Sequence, residues 1–495
     1  MSRATMSTGK ITVNTDDKLS NLRASGHENC HIFLIANFSG RDSSHSLPIA
    51  KRELISVDRD NFDEVFSSLN VECRIPLSAE TLSFETLDDM HPDYLYEHLP
   101  IFDHLKKLKR QLKSANNFAK AAAEIYQWHT SQETDDNNSQ VHHQSQPCSG
   151  SEKTELSLDD LLSEQSQSLS ADQFNIAGLI KRVVAPYVQP KPDPQQKDLL
   201  KTVDDASSEL MRKLMHHKKF QSLESSWRSL YLLTKRLETN RKLKLFIVDI
   251  GQQELTKDAL LSEHLSDSQT YQLLVSKRDS IGSIPPSLIL HDAEYGKNAL
   301  DINSLNNLSE IASACGAALI VGGSEHLAGC PSLHQAPDTQ DWDYQLSSEV
   351  TEAWSLFRGS PHANNVVVVS PRYLSRMPYG KRSNPIDSFN FEELTEQHRH
   401  QFYLWSNGAW LVTLLAALNY TGSGSLFSGA IQQIDGLPLH VYQEDGESIV
   451  TPCAEIHMTD STSHALRAVG LTSIRSILNK DSAIIPNIKS VAMTN

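Results

Sequence analysis

The chain has 495 residues, with 45 Lys and Arg against 61 Asp and Glu, and a formal net charge of −16 at pH 7. This acidic balance excludes a broad basic face for a phosphate backbone, so we expect no nucleic acid among its partners. A hydrophobic content of 39% is lean for a chain that is globular throughout. The length suffices for about two to four domains. We therefore expect packed domains together with a polar segment.

The N-terminus and the apolar stretches of the sequence predict a cytoplasmic protein. The stretch Met1–Asn14 lacks the charged start and the apolar core of a secretory signal. The longest apolar stretch, Ala409–Leu418, is shorter than the roughly 18 residues that a spanning helix needs, so we predict no membrane insertion. The six cysteines lie far apart without a C-x-x-C pair. This spacing predicts reduced, buried thiols.

Residues 24–129 are predicted to form a small α+β domain. Its predicted strands are His31–Ala36, Glu53–Val57 and Leu82–Phe84. Asp60 or Asn61 is expected to cap a short helix that follows the second strand. A further helix begins near Pro92, and Pro100 is expected to break or kink it because proline removes a helical hydrogen bond.

A polar segment and then a helical segment follow. Residues 130–172 are rich in Ser, Gln, Asp, Glu and Asn and bury too little apolar surface to offset the entropy of ordering, which predicts a flexible linker. One short amphipathic helix is expected within it, around Leu158–Leu162. Residues 173–240 are predicted to be helical, with an apolar face at Ile176–Val183 and then one long amphipathic helix over Leu199–Leu237.

Residues 241–495 alternate strands with helices. The predicted strands are Leu243–Ile250, Ser287–His291, Ala317–Val321, Asn365–Val369, Leu437–Val441 and Ile474–Leu478. The predicted helices are Ser268–Lys277, Ser304–Cys315, Ser347–Phe357 and Phe391–Leu418. The whole chain is thus predicted to be α/β, with a small α+β N-terminal domain, a helical segment and a larger α/β domain with a mixed sheet.

Three features invite a chemical interpretation, and each has a structural alternative that we favour. Asp249 ends an apolar strand, where α/β enzymes place catalytic carboxylates, but a carboxylate without a partner is more typical of a cap or a loop anchor. Gly322–His326 and Gly422–Ser425 lack the spacing of a phosphate loop or a nucleophile elbow, which favours a tight turn and a connection. We predict no catalytic residue, no cofactor and no metal site. A cytosolic α/β enzyme with Asp249 near the Gly322–His326 turn stays open as an alternative.

Motifs along the chain resemble two proteins of one assembly. The stretches that resemble the small subunit of the type VI secretion contractile sheath, the VipA/TssB family, are His31–Arg41, Val57–Val65 and Leu87–Asp93. The stretches that resemble the large sheath subunit, the VipB/TssC or EvpB family, are His216–Leu230, Ser370–Gly380, Phe389–Glu393, Tyr403–Ala409 and Thr451–Ile456. They occur in the family's order and cover most of the chain outside the predicted linker.

The resemblance implies an oligomeric structural protein, in which packing and polar contacts are the features that matter. Phe220 and Trp227 are expected in a helix core, whereas Glu224 and Arg228 are placed to join neighbouring helices. The full set of assembly or packing candidates is Phe220, Glu224, Trp227, Arg228, Arg372, Arg376, Tyr379, Trp405 and Asn407.

Two departures from the family pattern shape the functional hypothesis. Motifs of two subunits stand in one chain, and the large-subunit resemblance ends near Lys480–Asn495, before the further C-terminal domain of ordinary large subunits. We therefore hypothesise a structural or accessory component of the contractile sheath apparatus, a fused sheath-like protein that docks on sheath or baseplate components. The alternative within the class is a bona fide sheath subunit that polymerises around the inner tube.

The resemblance also implies the partners. They are the small and large sheath subunits, with the inner-tube protein, the baseplate components and the sheath-recycling ATPase as further candidates. The short patch Leu156–Leu162 is the candidate contact for the ATPase, because the family's large subunit presents a helix to it.

Overall fold

The structure is a computed structural model. The residues that it describes are 29–41, 47–76, 81–114, 116–135, 196–276, 285–395 and 399–493. The helix predicted around Leu158–Leu162 and the apolar face at Ile176–Val183 lie outside these ranges, as does the predicted linker beyond residue 135. In the ranges described, no helix combines the length and apolar character needed to cross a bilayer.

The N-terminal part contains short strands and helices in alternation. Its strands are β1 (Cys30–Ala36), β2 (Ile55–Val57), β3 (Val71–Cys73) and β4 (Leu82–Phe84). Its helices are α1 (Phe62–Ser68), α2 (Pro92–His98), α3 (Asp103–Lys113) and α4 (Phe118–Asp135). Helix α4 runs past Thr130, where the predicted linker begins.

Strands β1, β2 and β4 and helix α1 lie close to their predicted positions, whereas the sequence predicts no element at β3 or α4. The break predicted at Pro100 is confirmed, because α2 ends at His98 and α3 begins only at Asp103. Asn61 does occupy the N-cap position of α1. However, its side chain accepts a hydrogen bond from the backbone N–H of Asp58 at 2.8 Å instead of capping the helix. The preceding turn thus competes with the helix for this short polar side chain.

The single long helix predicted over Leu199–Leu237 is wrong. The chain forms two helices here, α5 (Gln196–Met215) and α6 (Lys218–Arg236). The break falls at His217, whose backbone is extended with ψ at 128° and whose ring nitrogen accepts the backbone N–H of Lys219. The apolar stripe therefore continues across two helices. Hydrophobic periodicity does not reveal a short break in the helical backbone, because the apolar pattern is the same on both sides of it.

The C-terminal part holds most of the sheet. Its strands are β5 (Leu243–Asp249), β6 (Leu288–Tyr295), β7 (Ala318–Gly323), β8 (Val366–Ser370), β9 (Tyr373–Leu374), β10 (Trp405–Ser406), β11 (Gln433–Ile434), β12 (His440–Glu444), β13 (Glu447–Thr451), β14 (Leu471–Ser473), β15 (Arg475–Ser476) and β16 (Ala483–Ile484). Its helices are α7 (Gln252–Leu261), α8 (Gln269–Leu274), α9 (Ala299–Cys315), α10 (Ser348–Gly359), α11 (Arg399–Phe402), α12 (Ala409–Ser423) and α13 (Asp460–Ala468).

Three predictions in this part need correction. The helix predicted over Phe391–Leu418 is interrupted by β10, which pairs antiparallel with β9, and α12 begins only at Ala409. Gly408 sits at the restart because a Cβ there would lie 2.4 Å from the carbonyl oxygen of Pro371. The strand predicted at Leu437–Val441 becomes β12 of an isolated hairpin with β13. The strand predicted at Ile474–Leu478 is shortened to β15 in a separate three-stranded sheet, and β14 just before it joins the main sheet.

The predicted α/β class with a mixed sheet is confirmed. The main sheet has seven strands in the order β14-β8-β7-β6-β1-β5-β2. Only β2, at one edge, runs antiparallel to its neighbour, and the other pairs are parallel. The N-terminal β1 therefore lies inside the sheet, between β5 and β6 of the C-terminal part.

Because β1 is internal, its side chains enter the cores on both faces of the sheet. Ile32 and Leu34 belong to one core, which contains Trp227 of α6 and residues of α3, α5 and α12. Phe33 and Ile35 belong to the other core, which residues of α7, α8, α9, α10 and α13 complete. A continuous apolar run such as His31–Ala36 is typical of a strand covered on both faces.

Candidate assembly site

Trp227 joins the N-terminal part to helix α6. Its indole Nε1 donates a hydrogen bond of 2.8 Å to the backbone carbonyl oxygen of Phe38, directly after β1. Its ring packs against Phe38, Phe62 and Phe66 with centroid distances of 5.3, 5.7 and 4.3 Å. Phe220, two turns earlier on the same helix, is fully buried, and its ring centroid lies 6.1 Å from that of Phe84 in β4. Both residues are core residues, as the spacing predicts.

A second set of candidates forms a buried ionic cluster around Arg376. Its guanidinium donates Nε to Glu224 Oε1 at 2.7 Å and a terminal nitrogen to Glu393 Oε2, also at 2.7 Å. Arg228 donates to the same Glu224 oxygen at 2.7 Å and to the Tyr379 hydroxyl at 3.2 Å. The guanidinium carbon of Arg376 lies 4.4 Å from the centroid of the Tyr379 ring. Glu224, Arg228, Arg376, Tyr379 and Glu393 are named the Arg376 cluster below.

The charges of the Arg376 cluster hold each other in the ionised state. Burial opposes the charged form of Glu224, but Arg376 and Arg228 outweigh it and lower the pKa of this carboxyl below its ordinary value. Burial likewise opposes the charge on Arg376, and Glu224 and Glu393 outweigh it and raise the pKa of the guanidinium. Two carboxylates and two guanidiniums balance in formal charge. Such a cluster fixes the geometry of α6 against the segment after β9 and offers no group poised for proton transfer.

Arg372, one helical-turn spacing before Arg376 in sequence, belongs to a different contact. Its backbone N–H and Nε donate to Glu455 Oε2 at 3.2 and 3.3 Å, and a terminal nitrogen bonds Glu455 Oε1. The guanidinium lies 6.0 Å from the ring centroid of Trp405, whose Nε1 donates to the carbonyl oxygen of His400 at 2.9 Å. The Arg372 side chain stays 47% exposed while Glu455 is buried. The structure therefore does not bring the two arginines to one site.

Asn407 joins strand β6, near the carboxyl ends of the sheet strands, to the first residue of helix α12. Its Nδ2 donates to the carbonyl oxygen of Ala293 at 3.0 Å, and its Oδ1 accepts the backbone N–H of Ala409 at 2.9 Å. A Cβ on Gly322 would lie 2.7 Å from the Asn407 amide, so glycine is required there by close approach. The Gly322–His326 segment is a tight turn, in which Ser324 Oγ accepts the N–H of His326.

Replacing Asn407 with alanine is expected to lower the free energy of unfolding by about 1–2 kcal/mol, because it removes two partly buried hydrogen bonds, to Ala293 and Ala409. Denaturant titration followed by far-ultraviolet circular dichroism measures this change. The matched control is Asn298→Ala, since Asn298 caps α9 through its side chain but makes no bond to the sheet edge. An Asn407 variant as stable as the wild type would mean that the amide does not tie α12 to β6.

Asp249 anchors a loop, and the proximity required by the enzyme alternative is absent. Its Oδ1 accepts the backbone N–H of Ser39 at 3.0 Å, which ties the end of β5 to the loop after β1. Strands β1 and β6 lie between β5 and β7, so Asp249 and the Gly322–His326 turn are about 14 Å apart at ordinary strand spacing. The prediction that they lie near one another is wrong. Over the ranges that the structure describes, no group of His, Cys, Asp and Glu is arranged to hold a metal ion.

Sequence reasoning identified Glu224 but missed one acidic partner of each arginine, Glu393 for Arg376 and Glu455 for Arg372. Glu393 and Glu455 lie inside the motif stretches Phe389–Glu393 and Thr451–Ile456, and neither is among the predicted candidates. The available signal was an acidic residue inside an otherwise apolar motif, because a carboxylate at such a position needs a buried cationic partner.

Comparison with known families explains why these motifs share one fold. Residues 197–492 match the VipB family model, described as the EvpB tail sheath N-terminal domain. Residues 29–128 match the model of the type VI secretion system protein VipA. The chain belongs to the type VI secretion sheath family. It is a fused sheath-family protein, with a VipA segment that supplies β1 and β2 to the sheet of a VipB segment.

A relative is similar to part of the chain. The type VI secretion system sheath protein TssC1 of Pseudomonas aeruginosa is 25% identical over 313 residues, which cover 59% of this chain and 62% of TssC1. This chain thus spans less than two thirds of the length of that relative. The recognised resemblance to both sheath subunits is confirmed by the two family models.

Proposed function

We propose that this chain is a structural or accessory component of the type VI secretion contractile sheath apparatus, which docks on sheath or baseplate components. The observation that supports the proposal is the internal position of β1. A VipA segment and a VipB segment share one sheet within one chain, so each copy presents the combined surface of a small and a large subunit. A second copy or an authentic sheath subunit is the partner that such a surface fits.

The residue chemistry favours a scaffold over an enzyme. The charged residues of the sheath-family motifs form ion pairs with each other. Arg376 pairs with Glu224 and Glu393, and Arg372 pairs with Glu455. Asp249 is occupied by a loop amide. Folds do not specify functions, so this preference is argued from the individual contacts. The proposed location is the cytoplasm, and the inner-tube protein, the baseplate and the recycling ATPase are further proposed partners.

The second candidate is a bona fide sheath subunit that polymerises around the inner tube. Two similarities favour this candidate: the match to the VipB family model, and the relative TssC1, which is named a sheath protein. A head-to-tail interface that does not close would build a helical tube from copies of one chain. The two candidates therefore differ in whether this chain forms tubes by itself.

Electron microscopy of the purified chain, alone and mixed with authentic small and large sheath subunits, separates these candidates. We expect no long tubes from the chain alone, and sheath particles that carry this chain in the mixture. Sheath subunits without the chain are the control for tube length. Long tubes from the chain alone would establish the polymerising subunit instead. The absence of such tubes together with failure to co-sediment with sheath would reject both candidates.

A further inference from the structure

The central position of β1 has a consequence for subunit exchange. Strand β1 pairs with β5 over seven residues, from Cys30 with Leu243 to Ala36 with Asp249, and with β6 over four residues, from Ile32 to Ile35. Both of its hydrogen-bonding edges are therefore used within the chain. We infer that each copy is a closed small-and-large subunit pair, whose VipA segment neither leaves nor admits a separate VipA-type chain. This inference deepens the proposed function and rests on it.

Burial makes β1 inseparable from both faces of the fold. The residues from Ile32 to Ala36 are at most 2% exposed. Their side chains divide between the two cores, so withdrawing the strand would open both cores together. An edge strand such as β2 can be exchanged with the loss of one partner strand, but an internal strand cannot. The position in the sheet, and not only the area buried, opposes exchange.

Contacts outside the strand hold the VipA segment at several separate points. The Phe38 carbonyl accepts from Trp227, and the Ser39 N–H donates to Asp249. At a distant point, the Asp93 carboxylate accepts the backbone N–H of Ser388 at 2.9 Å. Similarly, Lys109 of α3 forms an ion pair of 2.6 Å with Asp204 of α5. These residue pairs each join a residue of 29–128 to one of 197–492, so a competitor must replace all of them at once.

The covalent connection adds a concentration advantage. Linking two partners makes their pairing intramolecular, and linkage of this kind typically raises apparent affinity by about 10²- to 10⁴-fold. When a separate VipA-type chain is mixed with this chain at a similar concentration, it is then expected to occupy the β1 position in at most about 1% of copies. Reciprocal pairing, with the VipA segment of one copy in the sheet of another, is the competing arrangement.

Exchange between two tagged forms of the full chain tests the inference. A protease site is inserted between Gly150 and Ser151, and the first form carries a C-terminal tag while the second carries a different N-terminal tag. Both forms are purified and cleaved, mixed in equal amounts for a day and captured through the C-terminal tag. The amount of second-form N-terminal piece in the eluate is then measured. An uncleaved second form is the control, because it reports association between whole copies without exchange.

We expect the cleaved pieces of each copy to remain together and the cleaved and uncleaved second forms to give equal signals. A Trp227→Phe form, which loses the indole N–H bond to Phe38 and part of the ring packing against Phe38, Phe62 and Phe66, is expected to exchange several-fold faster. Dissociation on cleavage, or a signal from the cleaved form that approaches the mixing ratio, would overturn the inference. Binding to authentic sheath in the microscopy experiment is a separate readout, so a failure of the proposed function is distinguishable from open exchange.

Discussion

Replacing Trp227 with alanine is expected to lower the free energy of unfolding by about 3–5 kcal/mol, the usual range for a fully buried tryptophan or phenylalanine. The variant loses the packing against Phe38, Phe62 and Phe66 and leaves the Phe38 carbonyl without its indole donor. Denaturant unfolding measures the change, with tryptophan fluorescence and far-ultraviolet circular dichroism as two probes. The loss should appear in both probes together, because the residue joins the VipA segment to the VipB segment.

The matched control for this variant is Tyr231→Ala, one turn later on the same helix α6. Tyr231 contacts Phe62 at 5.4 Å but is 45% exposed, so its truncation is expected to cost less than about 1 kcal/mol. A loss at Trp227 no larger than the loss at Tyr231 would contradict the role given to the indole. It would also mean that β1 and the other contacts between the two segments, such as Ser39 with Asp249, carry the junction without the indole.

The sequence predicts β1 well but cannot predict its neighbours. The apolar run His31–Ala36 indicates a strand covered on both faces, and β1 is such a strand. Its neighbours, however, are β5 and β6, which belong to the other family segment and follow it only after the long polar stretch. Strand order depends on which edges remain open after helices have packed, and that information is not local. For this reason the sequence does not reveal that β1 of the N-terminal part pairs with strands of the larger α/β part.

The candidate residues show the same limit at the scale of single contacts. Arg372 and Arg376 lie four residues apart, and both follow the apolar strand predicted at Asn365–Val369. In the structure, Arg372 bonds Glu455 near the surface, whereas Arg376 bonds Glu224 in the interior. Their segment is regular only over the two residues of β9, Tyr373–Leu374, so no helix or strand period fixes how the two side chains point relative to each other. Periodicity identifies core residues such as Phe220, whereas ionic partners depend on tertiary packing.

Replacing Arg376 with methionine is expected to lower the free energy of unfolding by about 3–5 kcal/mol, because it leaves buried carboxylates without their main cation. Glu224 is fully buried and keeps only Arg228, and Glu393 keeps the backbone N–H of Tyr379 at 2.7 Å. Methionine fills much of the same volume, so the loss reports charge and hydrogen bonding more than a cavity. Denaturant titration at pH 7 provides the measurement. The control is Arg475→Met, which removes an ion pair with the exposed Asp460 and should cost at most about 1 kcal/mol.

The pH dependence of this variant distinguishes a charge effect from a packing effect. In the wild type the pKa of Glu224 is lowered, so its contribution to stability is present above the unfolded pKa of about 4.3 and is lost as the pH falls through the folded pKa. Without Arg376, burial becomes the dominant influence and raises the pKa of this carboxyl, so the folded variant binds a proton more readily than its unfolded chain. The variant is therefore expected to regain stability relative to the wild type between pH 7 and pH 5, whereas a deficit independent of pH would assign the loss to packing.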